Sequence, residues 1–144
     1  MSNFVNTVDS IGDEALTNII INRSITEILD NYTTIIGDYA FNSCSKLTTA
    51  DFPAVTSIGG YAFKGCSKLM ALILRSETMA RLISTTAFTN TPIASGTGYI
   101  YVPSSLIDSY KTASNWSTYA AQFRALEDYT VDGTTIGALD ESKI

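Results

Sequence analysis

Histidine is absent from this sequence of 144 residues, which also contains only two cysteines and three prolines. The chain therefore lacks the commonest general base and the commonest zinc ligand in proteins. The two cysteines, Cys44 and Cys66, lie 22 residues apart and match no metal-binding spacing. A serine or cysteine nucleophile needs a paired base, and no lysine or carboxylate is placed beside one by the sequence pattern. We therefore expect no enzymatic activity, no catalytic residue, no metal site and no cofactor.

Charge is also scarce, at 16% of residues, and the net charge is −5. Phosphate binding requires clustered Lys and Arg, so the nine scattered basic residues predict no nucleic-acid partner. No stretch approaches the roughly 18 apolar residues of a membrane span, so we expect no membrane insertion. The first ten residues lack the basic and apolar regions of a secretory signal, and we do not expect them to be one.

The chain does contain an internal repeat with a period of 22 residues. Ile36–Leu47 recurs as Ile58–Leu69, and 10 of the 22 positions in the block starting at Ile36 are identical in the block starting at Ile58. A fixed period of this length is typical of a solenoid, in which coils stack because no single coil buries its apolar face. The 19 Thr and 16 Ser favour strands, because β-branched Thr packs well on a pleated surface.

The repeat predicts an order of elements along the chain. An Ala followed by Leu or Phe recurs at spacings of 25, 22 and 25 residues, at 15–16, 40–41, 62–63 and 87–88, which indicates about four coils. Strands are predicted at Ile25–Asp30, Leu47–Phe52 and Leu69–Leu74, with a last strand from Tyr99 that Pro103 ends. Short helices are predicted at about 13–21, 104–113 and 115–123, and a hairpin turn at residues 132–133. The resulting domain boundaries are 1–22 for an N-terminal cap, 23–103 for the repeats, 104–128 for a helical C-terminal cap and 129–144 for a tail.

Ile36–Pro53 and Ile58–Leu74 resemble the BspA-type leucine-rich repeats, whose pattern is roughly Ile-Gly-x-x-Ala-Phe-x-x-Cys-x-x-Leu-x-x-Ile-x-Leu-Pro. Ala50 and Phe52 replace two aliphatic residues of the pattern, and the second segment lacks the final Pro. The resemblance implies a mainly β fold with a minor helical part. In full, it implies a short right-handed leucine-rich-repeat β-solenoid of about four coils, with an N-terminal cap and a helical C-terminal cap.

Alternation along the strands separates inward from outward residues. Leu47, Ala50, Phe52, Leu69, Leu72 and Leu74 are predicted to point inward. The outward residues form the candidate binding face, because solenoids present such rows as extended surfaces. Its predicted members are Thr48, Thr49, Asp51, Met70, Ala71, Ile73, Tyr99 and Tyr101. If Met70 and Ile73 are exposed, they form an apolar spot suited to contact with another protein or a second copy. The competing interpretation is an ordinary hydroxyl-rich sheet with its tyrosines packed beneath the C-terminal helices.

The C-terminal block resembles the segment found after such repeats in proteins of Firmicute phages and prophages. The residues that carry this resemblance are 90–93, 96–103, 110–111 and 115–120. It implies a virion protein of the tail or head that contacts a protein or glycan on the host surface, or other virion proteins, and that can form a homo-oligomer. The alternative is a bacterial cell-surface adhesin or a protein-interaction module. The lack of a signal and wall anchor and the small number of repeats weigh against the adhesin.

Cys44 and Cys66 occupy the same position in successive repeats, so strand stacking brings them about 5 Å apart. That distance permits a disulfide. However, stacked side chains point in parallel, and a small buried residue that fills the core is the favoured interpretation.

Overall fold

The computed structural model describes residues 2–4, 10–11, 25–131 and 134–135. Short strands dominate this part of the chain. They are β1 (Ser2–Phe4), β2 (Ser10–Ile11), β3 (Ile25–Leu29), β4 (Ile35–Ile36), β5 (Thr49–Asp51), β6 (Ser57–Ile58), β7 (Ala71–Ile73), β8 (Arg81–Leu82), β9 (Tyr99–Val102), β10 (Phe123–Ala125), β11 (Thr130–Val131) and β12 (Thr134–Thr135). Helices α1 (Pro92–Ser95) and α2 (Ile107–Thr112) are short. Turns of 3₁₀ helix lie at Thr85–Phe88, Ser104–Leu106, Trp116–Gln122 and Leu126–Asp128.

The repeats build two parallel sheets. The larger has the strand order β1-β3-β5-β7-β9-β10, and the smaller has the order β2-β4-β6-β8. Equivalent residues of successive repeats pair in register, as Glu27, Thr49 and Ala71 do across β3, β5 and β7. Parallel strands need crossover connections, and here each crossover between β3, β5 and β7 carries a short strand of the smaller sheet. The 22-residue period is thus one complete pass through both sheets.

The core lies between these sheets. It combines inward residues of the larger sheet, such as Leu72 and Ile100, with Ile58 and Leu82 of the smaller one. Three phenylalanines from successive repeats stack through it, with ring centroids 5.3 Å apart for Phe41–Phe63 and 5.8 Å apart for Phe63–Phe88. All six residues predicted to point inward are buried, none of them more than 2% exposed. The side-chain alternation inferred from the repeat is therefore confirmed at these positions.

Several predicted elements are confirmed, and others need correction. The strands expected from Ile25, Leu47, Leu69 and Tyr99 are present as β3, β5, β7 and β9, and α2 lies within the helix predicted at 104–113. The run 90–98 is rich in turn-forming residues but contains α1, because Thr91 caps its start and Gly96 (φ 97°) ends it. The helix predicted at 115–123 is a 3₁₀ segment that ends at Gln122, since Phe123 already pairs with Ile100 in the sheet.

The ends of the array differ from the four coils that the period predicts. β1 pairs with β3 and β10 pairs with β9, so the larger sheet has six strands. The helix predicted at 13–21 lies outside the described residues. β11 and β12 are antiparallel neighbours joined by residues 132–133, which agrees with the predicted hairpin; the turn itself also lies outside the described residues.

Side chains after β9 satisfy backbone groups of the last full repeat. The Nε1 of Trp116 donates to the Ala80 carbonyl at 2.8 Å, and the Ala80 N–H donates to the Tyr110 hydroxyl at 2.7 Å. The amides of Asn115 and Gln122 donate to the Leu82 carbonyl at 2.8 Å and to the Gly98 carbonyl at 2.7 Å. Ala80 and Leu82 lie on the edge of the smaller sheet at β8, where unpaired backbone groups invite association with another chain. The Tyr110, Asn115 and Trp116 side chains occupy that edge.

Neither Cys44 nor Cys66 forms a disulfide, and both are fully buried, as the core-filling interpretation predicted. The Cys66 thiol donates to the Phe41 carbonyl at 3.1 Å. A hydrogen bond with Cys44, together with burial, raises the pKa of Cys66, so its thiol stays protonated. The disulfide that the spacing permits is absent.

Candidate functional site

The outer face of the larger sheet is formed by the residues that alternate with those of the core. We use the term "outer face" for two rows that run across the strands. One row contains Glu27, Thr49, Ala71 and Tyr99, and the next contains Leu29, Asp51, Ile73, Tyr101 and Arg124. Because the pairing is in register, residues far apart in the sequence become neighbours about 5 Å apart on this face.

The structure brings five of the seven predicted site residues together on the outer face, namely Thr49, Asp51, Ile73, Tyr99 and Tyr101. The other two, Thr48 and Met70, immediately precede β5 and β7 and lie at the rim. The Thr48 hydroxyl donates to the Thr26 carbonyl at 3.0 Å, and the Met70 side chain is 46% exposed. Ala71, which was also predicted to point outward, lies on the outer face as well.

The apolar spot requires both Met70 and Ile73 to be exposed, and it does not form because Ile73 is buried. Ile73 is only 1% exposed and Ala71 only 6%, although neither belongs to the core cluster. The reason is that the C-terminal segment lies over them. The Thr49 side chain on β5 lies near enough to the Tyr129 hydroxyl to lower its pKa, and the Tyr129 ring centroid is 4.9 Å from that of Tyr101 on β9. Since β5 and β9 flank β7, a ring that contacts both lies above β7.

A buried ion pair lies on the same face. The Nε of Arg75 donates to both carboxylate oxygens of Asp51, at 2.9 and 3.0 Å, and its Nη2 donates to Oδ2 at 2.9 Å. The two side chains are 8% and 10% exposed. Burial raises the pKa of Asp51, and the hydrogen bonds and positive charge of Arg75 oppose that rise. The negative charge of Asp51 is therefore neutralised within the chain.

Aromatic rings form the half of the face nearest β10. Tyr99 and Tyr101 meet edge to face with centroids 6.4 Å apart, and the Arg124 guanidinium lies 4.5 Å above the Tyr99 ring. Burial, followed by the neighbouring phenols, raises the pKa of Tyr101, and burial also raises that of Tyr129. These phenols are therefore neutral near pH 7 and offer hydroxyl groups beside flat apolar surfaces.

This arrangement is suited to binding. Tyrosine combines an apolar ring with a hydrogen-bonding hydroxyl, and Tyr and Arg are enriched where proteins contact one another. Among the residues that the structure describes, no group of three or more His, Cys, Asp or Glu side chains could hold a metal ion. Within the described ranges no helix is long and apolar enough to cross a membrane.

Sequence reasoning missed five residues of this site: Glu27 and Leu29 on β3, and Arg75, Arg124 and Tyr129. A signal existed for Arg75, which stands where the previous repeat has Pro53 and comes two positions after Ile73, the residue that pairs with Asp51. A basic residue that is present in one repeat only, next to an outward carboxylate of the neighbouring repeat, indicates an ion pair between the two strands. No local pattern indicates Arg124 or Tyr129, because both lie beyond the end of the 22-residue period.

Comparison with known proteins agrees with this geometry. A protein-family model described as the BspA type leucine rich repeat region matches residues 2–115 in six copies. The matched span covers most of the 144 residues and includes every large-sheet strand from β1 to β9. No curated protein matches the chain.

Proposed function

The chain belongs to the BspA-type leucine-rich repeat family, and on that premise we propose that it is a non-enzymatic binding module of a phage virion, located on the tail or head. In this proposal it contacts a protein or glycan on the host surface or other virion proteins. The repeats wind as a right-handed solenoid, and the outer face is the contact surface. Leucine-rich repeat modules generally serve protein–protein interaction, which supports the binding role.

The observation that carries this proposal is the aromatic half of the outer face. Tyr99 and Tyr101 are only partly buried, and Arg124 lies exposed beside them. Protein contacts concentrate their binding energy in Tyr, Trp and Arg side chains that are desolvated on association. Nearby, Arg75 neutralises the Asp51 carboxylate. An uncharged partner can therefore bind here without removing water from an unpaired charge. A glycan fits the same surface, because sugar rings pack on aromatic faces while hydroxyl groups meet hydroxyl groups.

The virion location rests on the resemblance of residues 90–120 to blocks found after such repeats in phage proteins. The alternative is a bacterial cell-surface adhesin or an interaction module of the same family. Both functions use the same face, so the two proposals differ in location and not in chemistry.

Location and association can be tested together. We expect antibodies against the purified chain to label phage particles from the source at a defined place, and mass spectrometry to find the chain in those particles. Light scattering over a range of protein concentrations reports homo-oligomers. A strict monomer that is absent from particles would contradict the virion proposal and favour the interaction module.

The contact surface can be tested with matched tyrosine variants. Tyr99→Ala should weaken binding of labelled protein to particles or host cells at least tenfold, the change expected when a contact worth about 1.4 kcal/mol or more is lost. Tyr32→Ala is the control, because Tyr32 is 49% exposed and does not belong to the outer face. Equal binding by the two variants would show that the outer face is not the contact surface.

A further inference from the structure

The burial of the middle of the outer face needs an explanation. Ile73 and Asp51 are 1% and 7% exposed, and Ile73 stands outside the core cluster. A residue on the outer side of a sheet becomes inaccessible only when another part of the molecule lies over it. Met70, which immediately precedes the same strand, remains 46% exposed at the rim. The covering is therefore local to the centre of the face.

The covering segment arrives from the far end of the sheet. β10 ends at Ala125, and the face at Thr49 lies three strands away, which is roughly 14 Å at the normal strand spacing. Tyr129 lies four residues after Ala125, and three of these form the 3₁₀ turn Leu126–Asp128, which rises only about 2 Å per residue. The Tyr129 side chain completes the distance to Thr49. The chain after β10 therefore runs across the strands.

Tyr129 is seated in a site of defined chemistry. Its hydroxyl lies beside the Thr49 side chain, and its ring packs against the Tyr101 ring with the centroids 4.9 Å apart. Glu27, Asp51 and Arg75 are close enough to influence its phenol electrostatically. Glu127 and Asp128, which precede it, remain exposed. The site thus accepts one tyrosine side chain, and the segment that delivers it keeps its acidic residues in solvent.

We propose that the outer face is a docking site for a tyrosine-bearing peptide segment, and that residues 126–131 of the chain occupy it in cis. An external partner binds by presenting a tyrosine in place of Tyr129. This inference rests on the proposed binding role of the face, and it adds both the class of partner and a competitor within the chain. Because a tethered segment has a high effective concentration, the cis segment sets a threshold that an external ligand must overcome.

The test uses the full chain and a synthetic peptide of residues 126–135. The peptide is titrated against isotope-labelled wild-type chain and against Tyr129→Ala, and binding is followed by nuclear magnetic resonance at the amides of Thr49, Asp51 and Ile73. We expect the peptide to bind Tyr129→Ala at least tenfold more tightly than wild type, because the site is vacant only in the variant. A second peptide with alanine at the tyrosine position should not shift these amides.

Several outcomes would overturn the proposal. One is a folded Tyr129→Ala chain whose outer-face amides do not respond to the peptide; another is an equal response to both peptides. If Tyr129→Ala does not fold, the titration is repeated with Tyr129→Phe, which lacks the hydroxyl beside Thr49 and should bind the peptide more tightly than wild type. Equal binding to Tyr129→Phe and wild type would also contradict it. Self-association of wild type that Tyr129→Ala abolishes would support the docking chemistry, with a second copy as the source of the segment.

Failure here is distinguishable from failure of the proposed function. If Tyr99→Ala loses particle or cell binding while the peptide never binds, the face is a contact surface for another class of ligand. If the peptide binds but the chain is absent from particles, the docking site stands and the virion proposal fails.

Discussion

Replacing Arg75 with methionine is the sharpest test of how the outer face is held together. The substitution keeps most of the side-chain length but leaves the Asp51 carboxylate, 7% exposed, without the partner that donates three hydrogen bonds to it. Breaking a buried ion pair by removing one member costs about 3–5 kcal/mol, because an uncompensated charge stays in the interior. We expect Arg75→Met to lower the free energy of unfolding by about that amount at pH 7.

The effect should depend on pH in a direction that the structure determines. Burial raises the pKa of Asp51 above its ordinary value of 3.8, while Arg75 opposes the rise. For a raised pKa, the contribution to stability is complete below the unfolded-state value and is lost as pH rises through the folded-state value. Without Arg75 the pKa rises further, so more stability is lost by pH 7. The difference between variant and wild type should therefore be small near pH 4 and largest at neutral pH.

Urea unfolding at pH 4 and pH 7 measures both quantities. The double variant Asp51→Asn/Arg75→Met should recover part of the loss at pH 7, since no charge is then left unpaired. Arg81→Met is the matched control, because Arg81 is exposed, and it should change stability by about 0.5 kcal/mol or less. A loss that is equal at both pH values, or below about 1 kcal/mol at pH 7, would refute the assignment of a buried ion pair.

Three further predictions concern the core and its end. Phe63→Ala should cost about 3–5 kcal/mol in urea unfolding, because the ring is fully buried between two stacked phenylalanines, and Phe63→Leu should cost clearly less. Trp116→Phe should cost about 1–3 kcal/mol by the same assay, since a buried carbonyl loses its donor; an unchanged midpoint would contradict that role. Cys44 and Cys66 should react with a thiol reagent only after unfolding, and rapid reaction of the native chain would show that they are accessible.

The repeat predicts the central part of the fold well, because local pattern and packing agree there. Each repeat presents an apolar residue at the same phase, and register pairing carries that phase from strand to strand. Leu47 and Leu69 are therefore buried as expected, and the two cysteines are buried without forming a disulfide. Pro103 and Gly96 end their elements through their own backbone preferences, which need no tertiary contact.

The ends of the array are harder to predict. Phe123 lies in a stretch with helical character, yet it forms a strand because β9 offers an unpaired edge. The short strands around Ile36 and Ile58 escape prediction, since two residues are too few to show a strand period. In both places, pairing with a strand of the neighbouring repeat decides the secondary structure, and the local sequence pattern does not.

The candidate site likewise has a part that the sequence predicts and a part that it does not. Alternation places Thr49, Asp51, Tyr99 and Tyr101 on one face, and the structure brings them together. Alternation does not show that Ile73 is covered, because burial on the outer face depends on a segment that begins more than 50 residues later.

The sequence by itself determined the period, the inward residues and the parallel register, because these arise from one pattern repeated along the chain. The tertiary structure alone decided which outward residues are accessible. The Asp51–Arg75 ion pair and the position of Tyr129 depend on contacts between repeating and non-repeating residues. A sequence period does not predict such contacts. Burial energy and hydrogen bonding across the folded chain determine them instead.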